Sequence, residues 1–264
     1  MHLILNEPRR GLSLVELLLA ITVVTILAAS LAGLASGVHN ANQHAAGRAL
    51  TAQHARIALL RIENAVRRAH VSPNFPGCIS VAETQGSFSF PDTLVVWAPA
   101  GTPADPLGLP RWNELVVFAP DPSAPNRLLE FRVSSANGAV PSATDTTAWR
   151  AAIASFKTAD TAQKTEITAL LRTASTGAAV TQPRGCVRFE ITYRPDDATL
   201  LAGLTGGLPW GEVPWVRDQF GPRRGVRQVW CRMELQLVPP GPGDPAQTSV
   251  PYFGSAARYY TVER

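Results

Sequence analysis

Residues 12–37 read LSLVELLLAITVVTILAASLAGLASG. From Leu17 to Ala35 no residue carries a charge, and the only polar side chains are Thr22, Thr25 and Ser30. Their hydroxyls can donate to carbonyls one turn back in a helix, so they cost little in apolar surroundings. A bilayer core needs about 20 such residues in a row. The run therefore reads as a membrane-spanning helix. Arg9 and Arg10 precede it, and basic flanks stay on the cytoplasmic side, so the N-terminus is expected inside and the rest of the chain across the membrane. An ordinary secretory signal has a shorter apolar core followed by a small-residue cleavage site. A plain anchor leaves Glu16 unexplained. A carboxylate among Leu14, Val15, Leu17, Leu18 and Leu19 is costly in lipid unless it is neutralised or paired.

The segment RGLSLVE, residues 10–16, resembles the class III signal of type IV pilins and type II secretion pseudopilins. That family has a short basic leader ending in Gly. An apolar residue follows, then a small polar one, Leu, an aliphatic residue, Glu and a long apolar helix. Each of those positions is matched here. The resemblance implies that a membrane-embedded prepilin peptidase cuts between Gly11 and Leu12 and N-methylates the new amine of Leu12. Gly11 puts no side chain in the way of the cut. It implies further that Glu16 faces the Leu12 ammonium of a neighbouring subunit. Opposite charges in a low dielectric attract and relieve each other's burial cost. A mis-registered subunit leaves both unpaired, so Glu16 would act as a register device, as a lone polar residue does in a coiled coil. Many major pilins carry a Pro in this helix. Here Gly33 and Gly37 occupy the comparable stretch, each weakening a helix by about 1 kcal/mol.

Residues 38–70 lack Pro. Leu59, Ile62, Val66 and Ala69 fall on one helix face, which predicts that the helix continues and lays an apolar stripe on a partner surface. Pro73, Pro76 and Gly77 end it. Residues 12–70 would span about 90 Å as one helix. His39, His44, His54 and His70 are not spaced as a helical metal pair.

Beyond the helix, short β-rich runs alternate with Pro, Gly and Asn turns. Strands are expected at 87–90, 93–98, 114–119, 127–133, 186–194, 226–238 and 258–262. TLVVWAP (93–99) and ELVVFAP (114–120) look alike and read as neighbouring strands. Residues 146–175 are Ala/Thr-rich with Trp149, Ile153, Phe156, Ile167, Leu170 and Leu171, and read as a helical insertion of one or two helices. The expected class is α+β, a long helix packed on an antiparallel sheet. The expected division is a leader at 1–11, a membrane helix at 12–38, its continuation at 39–72 and a β-rich head at 73–264.

The chain has 264 residues, 17% of them charged, and a net charge of +4. Its cations are 22 Arg and two Lys, Lys157 and Lys164, dispersed rather than clustered, which argues against a nucleic-acid reader. Cys78, Cys186 and Cys231 lack the paired spacing of a zinc site. They allow one disulfide of undetermined pairing, or three buried thiols. No phosphate-binding loop, dinucleotide fingerprint, nucleophile elbow or HExxH occurs, and no His lies beyond residue 70, so neither an enzyme nor a cofactor is expected. Asp196, Asp197 and Asp244 read as turn residues, too sparse for calcium. Glu130 and Glu190 read as solvent-facing. Trp210 and Trp215 read as anchors of a Pro/Gly-rich loop, with a partner-binding surface as the alternative.

The resemblance implies a subunit of a type II secretion pseudopilus or a type IV pilus. Its expected partners are the prepilin peptidase, other pilin subunits and an inner-membrane assembly platform. A large head fits a minor subunit near the tip, similar to the J-type pseudopilin or the W-type minor pilin. A tip adhesin or DNA-uptake pilin whose head binds a ligand shares the same N-terminus.

Overall fold

The computed structural model describes residues 13–85, 88–133, 138–159, 161–174, 183–215, 223–240 and 249–264. Helix α1 runs Leu14–Arg67. The chain divides into two compact units, Met1–Gly47 and Arg48–Arg264.

The first unit is helical over its described part. Leu14, Leu18, Val24, Leu31 and Leu34 are all more than half exposed. Among the described residues, α1 is the one helix long and apolar enough to cross a membrane. A surface so apolar and so exposed needs a non-aqueous neighbour.

The second unit opens with the remainder of α1. Thr51, Ala55, Ala58, Ile62, Val66 and Ala69 are buried at helical spacing, and Leu59 packs beside them. The expected stripe is present and begins two turns earlier than Leu59.

Five strands form an antiparallel meander: β1 (Cys78–Gln85), β2 (Phe88–Trp97), β3 (Leu115–Pro120), β4 (Leu128–Val133) and β5 (Ala162–Thr168). β2 and β3 pair with Leu94 opposite Phe118 and Trp97 opposite Leu115, so the two look-alike runs are neighbours. Both faces of this sheet are covered. Leu94, Val96, Val116, Phe118 and Leu128 join the core containing the α1 stripe. Val95, Trp97, Leu115, Val117 and Phe131 face the other way, onto Trp149, Ile153 and Phe156 of α2 (Thr146–Thr158). Burial on two faces explains why these strands read as unbroken apolar runs rather than alternating ones.

Two short strands, β6 (Thr173–Ala174) and β7 (Arg184–Gly185), pair with each other. A second antiparallel sheet has the order β10-β9-β8, with β8 at Val187–Arg194, β9 at Arg224–Leu237 and β10 at Val250–Glu263. β9 alternates along its length. Val229, Cys231, Met233, Leu235 and Leu237 enter the α1 core, while Gln228, Trp230 and Glu234 lie on the other face. Gly254 of β10 lets this sheet approach α1 closely, because a Cβ there would lie 2.9 Å from Leu59 Cδ2.

The structure differs from expectation in several places: strand β1 was not expected, and the runs expected at 87–90 and 93–98 belong to one strand, β2. The insertion is helical only over Thr146–Thr158, and Ala162–Thr168 forms the edge strand β5. Asp145 stops the helix from starting earlier by accepting the Ala148 N–H at 2.9 Å. Asp196 caps a helix, α3 (Asp197–Thr205), by accepting the Thr199 N–H, so Asp196 and Asp197 begin a helix rather than form a turn. Gly206, at φ +83°, ends α3 in the left-handed conformation that glycine adopts without strain. Strand β10 runs 14 residues, well beyond 258–262.

Candidate functional site

The start of α1 is a capping box. Ser13 Oγ accepts the Glu16 N–H at 3.2 Å. Glu16 Oε2 in return accepts the Ser13 N–H at 2.9 Å and the Ser13 hydroxyl at 3.0 Å. An S-x-x-E sequence before an apolar run is the signature of this arrangement, and it places a carboxylate over the positive end of the helix. Glu16 is thus held over the first turn, while Gly11 and Leu12 lie outside the described residues. Farther along, Thr22, Thr25 and Ser30 donate their hydroxyls to the carbonyls of Leu18, Ile21 and Ile26, at 2.8, 2.6 and 2.9 Å. Every polar group of the apolar run is therefore satisfied within the helix, as a bilayer requires.

In the head, Cys78 and Cys231 are buried in the same core and Cys186 is half-buried, all three as thiols. Burial pushes the Cys78 thiol up to about 12. Burial also raises Cys231, and the neighbouring Cys78 adds to it. These are inert apolar fillers in this form.

Glu130 is a correction to the sequence reading. It is only 6% exposed, and it accepts from Arg61 Nε of α1 at 2.7 Å and Arg132 Nε at 2.8 Å. Burial pushes its carboxyl up, but the two guanidiniums outweigh that and hold it below the ordinary carboxylate range. Glu190 does face solvent, beside Arg232 at 3.7 Å. Trp210 and Trp215 are buried, with their rings 4.6 Å apart and packed with Leu200 and Val213, so the loop reading holds.

Sequence reasoning missed a second charged group. Lys157 lies on the buried face of α2 with Trp149, Ile153 and Phe156. Its ammonium meets Glu83 of β1 at 2.5 Å and donates to Thr93 of β2 at 2.8 Å. Arg184 of β7 contacts Glu83 and lies 3.0 Å from Asp92 of β2. Burial pushes Asp92 above the ordinary carboxylate range despite both cations. Burial acts the same way on Glu83, but Lys157 and Arg184 outweigh it and hold that carboxyl low. The 149, 153, 156, 157 spacing was a legible signal that Lys157 points inward.

Among the described residues no cluster of His, Cys, Asp or Glu is arranged to hold a metal ion. The model of the prokaryotic N-terminal methylation motif matches residues 8–32. That match, with the long apolar helix beginning at Leu14, supports a pilin or pseudopilin processed by a prepilin peptidase and assembled with other pilins. No curated protein and no solved structure matches the chain.

Proposed function

We propose that this chain, which carries the N-terminal methylation motif of type IV pilins and pseudopilins, is a minor subunit of a type II secretion pseudopilus or type IV pilus. Its role is architectural. The peptidase cuts between Gly11 and Leu12 and methylates Leu12. The apolar part of α1 then holds the subunit in the inner membrane, with the N-terminus cytoplasmic and the head on the far side. The assembly platform lifts it into a helical bundle, where Glu16 pairs with the Leu12 ammonium of a neighbour. The observation that carries this reading is the coincidence of the motif with an exposed apolar helix that starts at a carboxylate-capped turn. The size of the head, residues 73–264, favours a minor subunit near the tip over a densely repeated major one.

The test is the mass of the N-terminal peptide after co-expression with a prepilin peptidase, beside a Gly11→Ala control. The expected product begins at N-methylated Leu12 and is missing from the control. An intact Met1 terminus in both samples would leave a simple membrane anchor and overturn the proposal.

A further inference from the structure

This chain builds almost all of its positive charge from arginine, with 22 Arg against two Lys. Of the two lysines, Lys164 is exposed and Lys157 is 4% exposed. A guanidinium serves wherever a fixed cation is wanted. A lysine adds one property, an amine that can give up its proton and act as a nucleophile.

The surroundings of Lys157 supply the other parts of an acyl transfer. Its Nζ lies 2.5 Å from Glu83 Oε1, beside an acyl carbon. It also donates to Thr93 Oγ1 at 2.8 Å, and that hydroxyl donates to Asp92 Oδ1 at 3.0 Å, so a proton path leads from the amine to a second carboxylate. Arg184 Nη2 donates to Glu83 Oε2, the oxygen turned away from the amine. Asp92 is 3% exposed and Lys157 4%, so the amine and the second carboxylate are shielded from water, while the Glu83 side chain is 29% exposed. We propose that Lys157 and Glu83 condense to an intramolecular amide that joins α2 to β1.

The step balances without a co-reactant. The Lys157 ammonium passes one proton to Glu83 Oε1 across their 2.5 Å contact, which leaves a free amine beside a neutral carboxyl. The amine attacks Cδ of that carboxyl, and Arg184 holds the negative charge that develops on Oε2. The nitrogen then passes a second proton through the Thr93 hydroxyl to Asp92, whose burial favours the neutral, proton-carrying form. Asp92 returns that proton by the same chain to Oε1, which now carries two. The C–Oε1 bond breaks, water leaves, and Oε2 remains as the amide oxygen on Arg184. Orientation of this kind is equivalent to an effective molarity of about 10⁵ M or more, which offsets the preference of free acids and amines to stay apart in water. The bond would close a loop between residues 74 positions apart in sequence and fasten the insertion against tension.

The experiment is an intact-mass measurement on the denatured full-length chain, followed by peptide mapping. The expected mass is lower by one water, and the digest contains a Glu83 peptide covalently joined to a Lys157 peptide. Lys157→Arg keeps the cation but not the nucleophile, and should restore the full mass. Asp92→Asn should slow the loss of water during refolding. A folded wild-type chain at full mass with both peptides separate would overturn the proposal. So would the same loss of water in Lys157→Arg, because it would then arise elsewhere.

Discussion

Arg61 Nε lies 2.7 Å from Glu130 Oε2, and this pair ties α1 to β4 across the head core. Arg132 takes the other carboxylate oxygen at 2.8 Å. The folded carboxyl of Glu130 therefore titrates below its unfolded value of 4.5. A depressed acid contributes stability above the unfolded value and loses it as pH falls through the folded one. Glu130→Gln should cost about 1–2 kcal/mol at neutral pH, since both arginines are half-exposed and can rehydrate. The mutant should also lose less stability than wild type on acidification below pH 4.5. Urea midpoints measured across that range check both statements. Parallel acid limbs in the two proteins would remove Glu130 as the cause.

Gly225 lies under the indole of Trp215. A Cβ there would stand 2.4 Å from three ring atoms. The ring cannot yield as a flexible side chain would, because it is packed on Trp210. Gly225→Ala should cost about 1–3 kcal/mol and shift the tryptophan fluorescence. Gly101→Ala, with nothing within 4 Å, is the matched control and should leave both unchanged.

Glu16 reaches the backbone of its own first turn. Glu16→Gln keeps an acceptor there but removes the charge that the proposed pairing with a neighbour requires. Peptidase processing should be retained, and recovery of the subunit in sheared filaments should fall at least tenfold. Undiminished recovery would mean that capping the helix is the whole role of this side chain.

The N-terminal helix was legible because each of its signals is local: an apolar run, a basic flank, and a carboxylate at a fixed offset. The pairing of β2 with β3 was legible because both runs are apolar throughout. Other features depended on distant chain. The burial of Glu130 needs Arg61, 69 residues away in sequence. The Lys157 group draws on α2, β1, β2 and β7, and no window of sequence contains it. β5 follows a helix with little separation and carries mostly exposed residues, so nothing in its own pattern marked it as a strand. It exists because β4 offers an edge to pair with. Strand β1 is similar. Its CISVAETQ becomes a strand by lying along β2, and its own apolar content is modest.

The core beneath α1 draws residues from Ala55 to Ala256. A ribosome delivers about 5–20 residues per second, so the stripe ending at Ala69 waits about 10–40 s for the last strand that covers it. Throughout that interval the ridge is covered only in part, by the strands already made. Truncation anywhere before β10 should yield material that clumps or is degraded, whatever the state of its N-terminus.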